Sequence, residues 1–383
     1  MDNKILIVTI PQFLLRTNYA SLFQAYALQQ VVRSIKGCSV ETLFWDIDRT
    51  SLKKRIGLWV FKCFFRFLSP QVGRKLLPSL VKTPLGRFFY PKDFTWFLKK
   101  HVSITRFYIS KQLDAFNEEY THCIVGSDQV WCFDINIAGA RFVKKGKKIS
   151  YAVSAPWGGD VPILDSPEGV VALKTFDALA VRENEGVKRL NQLLPSKSIE
   201  LTLDPTLLIR KEDYLKISCS EKVFKKPTLL CYFLNLKTES DFPISLTEIE
   251  RLCQNLEVDL KIIPLQGTEP FIPRKYGFSP SPEDFLGAIR DAKYVLTNSF
   301  HGTVFSLIMQ TPFISFTQNG AQNDRVRTLL MNAGLIGRLF EMRADVSAIQ
   351  EVLRISMNWD AIEVALKSYR TSSIEFLRRV LTE

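Results

Sequence analysis

The stretch Tyr294–Met309 constrains the fold of this chain more than any other. Tyr294-Val-Leu-Thr-Asn298 is an apolar, β-branched run, Ser299-Phe300-His301-Gly302 is a short polar turn, and Thr303–Met309 carries an apolar helical pattern. Pro312–Phe316 then reads as another strand. Neighbouring strands joined through a helix run parallel, so the segment predicts an α/β architecture. His301, one of only three histidines, stands where the helix begins. A helix start points unpaired N–H groups and positive dipole outward, so this turn suits a small anion.

The same rhythm runs through the chain. Ile5–Ile10 predicts a first strand, Ser21–Lys36 a helix with Leu22, Ala25, Leu28, Val32 and Ile35 on one face, and Ser39–Trp45 a second strand. Asn18 suits the N-cap of that helix and Gly37 its stop. Strands are expected at Cys123–Val125, Lys148–Ser154, Leu179–Val181, Ile199–Leu203, Thr228–Leu234 and Leu260–Pro264. Helices are expected at Glu185–Leu194, Leu246–Leu256, Pro282–Ala292 and Asp360–Leu381, with Ser281 capping the third of these ahead of Pro282. A length of 383 residues suits two domains, 1–205 and 206–355, followed by a helical segment 356–383 that packs back on the first.

Composition narrows the class. Apolar content of 46% with 23% charged residues is that of a folded globular chain. The seven cysteines form no CxxC pair and no Cys/His cluster, so no metal site is expected, and their apolar contexts suit reduced thiols in a cytoplasmic compartment. The apolar start Lys4–Ile10 is too short for a signal peptide and is stopped by Pro11. Tyr294–Asn323 lacks Asp, Glu, Lys and Arg, but its Asn, Ser, His, Gly, Pro and Gln content argues against a membrane span.

The net charge of +12 is concentrated. Arg49–Lys100 holds thirteen Lys/Arg against one acid, Asp93, together with eleven aromatics. It breaks the α/β rhythm and reads as an insertion, 49–100. On a helix, Val60, Phe61, Phe64 and Leu68 share one side while Arg55, Lys62 and Arg66 line another. Pro70, Pro78, Pro84 and Pro91 predict irregular structure for the remainder.

Function in open α/β sheets gathers at the carboxyl ends of the strands. Four places qualify: Thr17-Asn18-Tyr19, Gly126-Ser127-Asp128-Gln129, Arg182-Glu183 and Asn298–Gly302. His301 has the chemistry of a phosphate contact or a general acid, against a capping or packing role. Arg182 offers a planar fork for carboxylate or phosphate, against a salt bridge to Glu183 or Glu185. Asp128 suits a general base or a sugar-hydroxyl contact, against an Asx-turn. Asp204-Pro205 reads as a structural junction. No Walker A or Gly-x-Gly-x-x-Gly fingerprint occurs.

These segments in their order resemble the polysaccharide pyruvyl transferase family. The resemblance rests on Thr17-Asn-Tyr-Ala with Gln24-Ala-Tyr-Ala-Leu-Gln29, Val125-Gly-Ser-Asp-Gln-Val-Trp131, Ala180-Val-Arg-Glu183, Leu203-Asp-Pro-Thr206 and Asn298-Ser-Phe-His-Gly-Thr303. It implies two Rossmann-like domains with parallel sheets in a glycosyltransferase-B-like arrangement, with the active site in the interdomain cleft. It implies phosphoenolpyruvate as donor, no cofactor and no metal, and a pyruvate ketal on two hydroxyls of a sugar in a bacterial surface polysaccharide or its lipid-linked oligosaccharide precursor. By that resemblance Arg182 and His301 bind the donor, and Ser299, Phe300 and Gly302 are placed beside them; the ketal chemistry in turn suits His301 as proton source or phosphate contact and Asp128 as acceptor of a hydroxyl proton, the expected catalytic pair. Asn18, Tyr19, Ser127, Asp128 and Gln129 are placed on the acceptor side. Some members carry an arginine where this chain has Ser299, and Arg325 or Arg327 is the expected replacement.

A nucleotide-sugar glycosyltransferase using the same kind of cleft is the rival reading, and a non-catalytic glycan-binding relative a third. For 49–100 the alternatives are a solvated basic insertion whose aromatics pack on the first domain, and peripheral attachment to an anionic membrane surface at the inner face of the cytoplasmic membrane. No nucleic-acid-binding motif is present, so no nucleic acid is expected.

Overall fold

A computed structural model describes residues 3–10, 18–46, 92–116, 119–234, 236, 241–264, 272–317 and 323–383. Two five-stranded parallel sheets organise the chain. The first runs β3-β2-β1-β4-β5, with β1 Asn3–Val8, β2 Cys38–Asp46, β3 Ile104–Ile109, β4 His122–Val125 and β5 Lys147–Ser150. A parallel pair, β6 Leu179–Val181 with β7 Ile199–Leu201, extends it through the bridges Ile149 to Ala178 and Val153 to Val181. The second sheet runs β12-β11-β10-β8-β9, with β8 Thr228–Tyr232, β9 Asp259–Ile262, β10 Tyr294–Thr297, β11 Phe313–Phe316 and β12 Leu339–Phe340.

The strand compositions follow from burial on both faces. Ile5, Leu6, Ile7 and Val8 are all 0% exposed. Ile5 and Ile7 join the cluster beneath helix Tyr19–Ser34, whereas Leu6 and Val8 join the one containing Trp131 and Leu173. A strand covered on both sides reads as a continuous apolar run, and β1 does. Strand order reverses between β1 and β4 in the first sheet and between β8 and β10 in the second. Such switch points open a crevice at the carboxyl ends.

Aromatic rings bind the two halves together. Tyr19 stacks on Phe285 with centroids 4.2 Å apart and donates its hydroxyl to the Pro280 carbonyl at 2.8 Å. Phe23 meets Phe305 edge-on at 5.0 Å. The last helix, Trp359–Thr382, lies against the first sheet: Asn3 Nδ2 donates to the Leu381 carbonyl at 2.7 Å, and the Leu203 N–H donates to Ser373 Oγ at 2.9 Å.

Of the segment 49–100, the structure describes only the end. Lys92–His101 is a helix, not an irregular segment, and its Phe94, Phe97 and Leu98 are buried in the core. Pro91 immediately precedes it, a position that starts a helix as readily as it interrupts one. The expected amphipathic helix around Val60–Leu68 lies outside the described residues. Strand β3 and helices Pro167–Lys174, Asn323–Asn332 and Val346–Arg354 were not anticipated. No helix among the described residues is long and apolar enough to cross a membrane. The uncharged stretch after Tyr294 is β10, helix Phe300–Met309 and β11.

Candidate active site

The carboxyl ends of β4, β6, β7 and β10 converge on one buried charge cluster. Beyond β4 the chain turns sharply at Gly126, whose φ is +141° and where a Cβ would lie 2.0 Å from the Tyr151 carbonyl oxygen. Only glycine fits. Asp128 follows with φ +63°, its backbone pinned by the Ser154 N–H donating to its carbonyl at 3.0 Å. The Ser127 carbonyl accepts from Thr9 Oγ1 at 3.2 Å, which ties this turn to the end of β1. Gln129, half-buried, begins the 3-10 turn Val130–Cys132.

Arg182, just past β6, lies at the centre, with its side chain 2% exposed. Its guanidinium uses all three nitrogens on carboxylates: Nε on Glu183 Oε1 at 3.1 Å, Nη1 on Asp204 Oδ2, and Nη2 on Asp128 Oδ1 at 3.3 Å. The same guanidinium lies over the Phe300 ring, 4.6 Å from its centroid. Glu183 is itself held by Ser154 Oγ at 2.7 Å and Trp157 Nε1 at 2.8 Å. The salt bridge between Arg182 and Glu183 expected from their adjacency therefore exists, as one of three.

Asp204, at the end of β7, gathers the cluster. Oδ1 accepts the Thr206 N–H at 3.0 Å and Thr206 Oγ1 at 2.6 Å, while Oδ2 accepts Gln24 Nε2 at 2.8 Å as well as Arg182. His301 Nε2 comes within 3.4 Å of Oδ2, an ion-pair contact that lacks hydrogen-bond geometry. Burial opposes ionisation of Asp204, but the His301 imidazole, the Arg182 guanidinium and the Thr206 hydroxyl override it and hold the carboxyl well below the usual carboxylate range. Burial likewise raises the Glu183 carboxyl, with Arg182 and Ser154 opposing. Asp204 is thus kept ionised by its partners, as a buried ion must be.

The opening turn of helix Phe300–Met309 completes the wall. Ser299 is its N-cap, accepting the Gly302 N–H on Oγ at 3.3 Å, and its own N–H donates to Thr297 Oγ1 at 3.0 Å. A Cβ at Gly302 would lie 2.2 Å from Thr297 Oγ1. The glycine thus lets the helix start close against β10 and present His301 and Phe300 to the cluster. Arg325, on helix Asn323–Asn332, approaches Asp128 Oδ1 at 3.7 Å, whereas Arg327 is exposed. Burial and the neighbouring Arg182 charge lower the pKa of Arg325.

The structure therefore brings together Asp128, Arg182, Phe300, His301 and Arg325, with Ser127 and Gly302 shaping the turns that carry them. It does not bring Asn18 and Tyr19 into the charged cluster. Asn18 Oδ1 caps the first helix by accepting the Ser21 N–H at 3.3 Å, and Tyr19 is committed to the interdomain packing. Asp204, Gln24 and Thr206 were missed as site residues. Asp204 satisfied the strand-end rule that selected the others, and only its reading as an Asp-Pro junction set it aside. Gln24 left a weaker signal, a glutamine on a helix whose residues are almost all buried. Among the described residues, Gln24 Oε1, Ser127 Oγ and His301 Nε2 are buried without a hydrogen-bond partner. A surface hollow lined by Lys226, Glu250, Glu257 and Lys275, beside the start of β9, contains none of these groups.

The family model for polysaccharide pyruvyl transferase matches residues 24–320, from Gln24 to beyond the His301 helix. The chain belongs to the polysaccharide pyruvyl transferase family. It is accordingly a transferase of polysaccharide biosynthesis. No curated protein sequence matches this family member. Among solved structures it is similar to a Listeria monocytogenes protein described as a UDP-N-acetylglucosamine 2-epimerase, with 10% identity and a TM-score of 0.52 over 98% of this chain and 91% of that one. It is also similar to the UDP-GlcNAc 2-epimerase of Neisseria meningitidis bound to UDP-GlcNAc (11% identity, TM-score 0.48, covering 97% and 94%) and to an E. coli heptosyltransferase with ADP (11%, 0.42, covering 97% and 99%). At such identities the likeness concerns the fold, which is the two-domain, glycosyltransferase-B-like arrangement of parallel α/β domains.

Proposed function

We propose that this transferase takes phosphoenolpyruvate as donor and forms a pyruvate ketal on two hydroxyls of a sugar in a bacterial surface polysaccharide or its lipid-linked precursor. The observation that carries the reading is the convergence of Arg182, Arg325 and His301 beside the start of helix Phe300–Met309. Two guanidiniums, an imidazole and a helix start are the groups a small phosphorylated carboxylate requires. Asp128, with its side chain 12% exposed, lies on the more open side of this cluster, where an acceptor hydroxyl would meet it.

In the reaction the methylene carbon of the enol gains a proton, and the neighbouring carbon becomes electron-poor. One sugar oxygen bonds to that carbon and loses its proton. The carbon–oxygen bond to phosphate breaks, a second sugar oxygen takes its place, and its proton is lost in turn. One of the two hydroxyl protons balances that delivered to carbon, and the other leaves with phosphate. His301 serves as proton source or phosphate contact, and Asp128 accepts a hydroxyl proton. Holding two hydroxyls against one carbon supplies much of the rate.

Phosphoenolpyruvate at about a hundred times its Kd is expected to stabilise the protein by about 2.7 kcal/mol, seen as a raised Tm, and nucleotide sugars are not. Phosphate release with lipid-linked or nitrophenyl glycosides, and a pyruvyl mass increment on the glycoside, complete the test. Protection by a nucleotide sugar but not by phosphoenolpyruvate would transfer the assignment to the glycosyltransferase reading.

We infer further that the basic, aromatic region attaches peripherally to an anionic membrane that carries the acceptor. Its sequence charge supports this, as does helix Lys92–His101, where Trp96 is 52% exposed with Lys100 Nζ 4.2 Å from its ring centroid. Flotation with vesicles containing anionic lipid is expected to recover the wild type and to lose the Arg55, Lys62 and Arg66 to Glu triple variant. Equal recovery of the two excludes the attachment.

A further inference from the structure

Asp128 differs from the other carboxylates of the cluster. Asp204 and Glu183 have side chains that are 0% exposed, and each is anchored by neutral donors as well as by Arg182. The Asp128 carboxylate is 12% exposed, and the contacts that hold Oδ1 are to two arginines at 3.3 and 3.7 Å. Its backbone is fixed independently, through its carbonyl and the Ser154 N–H. The loop is therefore held in place independently of the side chain.

The crowding of carboxylates favours a turn of that side chain on anion binding. Three carboxylates, Asp128, Glu183 and Asp204, already face two guanidiniums and one imidazole. An anion added to this buried set with every carboxylate in place would meet like charge at short range and low dielectric. Oδ1 of Asp128 also occupies the position between Arg182 and Arg325 that an oxygen of that anion would take.

We propose that the Asp128 carboxylate is the resting occupant of an anion subsite between Arg182 and Arg325, and that the anionic group of the donor displaces it. Resting on the reading of the cleft as a phosphoenolpyruvate site, this sets an order. The donor binds first, and its arrival frees the Asp128 carboxylate to accept a proton from the acceptor hydroxyl. Before the donor is bound, Oδ1 of that carboxylate is engaged by the two arginines.

The test is Asp128→Asn in the full chain, with binding of inorganic phosphate and of phosphoenolpyruvate measured by calorimetry. Asparagine tolerates a positive φ, so the loop is retained. If the carboxylate fills the subsite about nine-tenths of the time, its removal tightens anion binding about ten-fold. Turnover of phosphoenolpyruvate falls about 10²–10⁴-fold with loss of the base. Asp128→Gly, which accepts the same backbone, is expected to tighten anion binding likewise and guards against a local effect of the asparagine amide. Anion affinity unchanged or weaker in both variants overturns the proposal, whatever the turnover. Tighter phosphate binding in both, in a protein whose wild type never turns over phosphoenolpyruvate, upholds the displacement and removes the donor assignment instead.

Discussion

Arg182→Ala is expected to unfold at a distinctly lower temperature than the wild type as well as to lose turnover. The side chain joins Glu183, Asp204 and Asp128, and the first two have no exposed surface. Burial alone would lower the pKa of Arg182, but Asp204, Glu183 and Asp128 together raise it above its ordinary value, so it remains a cation. Without it, two fully buried carboxylates lose the cation they share. Stranding buried charge in this way costs about 3–5 kcal/mol. Arg182→Lys keeps the charge but not the fork, and one ammonium cannot meet three carboxylates. Its melting temperature should fall between the other two, with turnover still lost. Calorimetry that finds Arg182→Ala as stable as the wild type would show that the cluster is not held as described.

His301→Gln should behave in the opposite way. The imidazole is buried, but its Nε2 has no hydrogen bond and a single carboxylate contact at 3.4 Å. Asp204 retains Arg182, Gln24 and Thr206 when the imidazole is gone, so less stability depends on His301 than on Arg182. Turnover, by contrast, is expected to drop about 10²–10⁴-fold, the usual contribution of a positioned acid or base. A folded His301→Gln that releases phosphate within ten-fold of the wild-type rate would remove His301 from the chemistry. The two variants together separate a residue that holds the site from one that works in it.

Much of this organisation is legible in the order of residues alone. Parallel strands buried on both faces must be runs such as Ile5–Val8, and helix starts must carry caps such as Ser281, which accepts the Asp284 N–H at 3.1 Å. These are local requirements, met within a few residues, and so the α/β alternation and the strand-end turns at Asp128, Arg182 and His301 follow from the sequence. The helix Lys92–His101 was obscured because charge and prolines dominate its surroundings, while what settles it is burial of Phe94, Phe97 and Leu98 against the core.

Which of the strand-end residues meet was decided only by the tertiary structure. Gln24, Asp128, Arg182, Asp204, His301 and Arg325 are distant in the chain and become neighbours because the carboxyl ends of strands from two sheets face one crevice. Asp204 shows the difference most plainly: beside Pro205 it is a turn residue, and in the fold it is the anion that orders Arg182, His301 and Gln24. Tyr19 shows the converse, since a strand-end neighbour in the sequence stacks on Phe285 from the other half of the chain, a contact that no local pattern announces. Periodicity and capping are written in neighbouring residues, whereas a buried charge can be kept only by partners that the whole chain must fold to deliver.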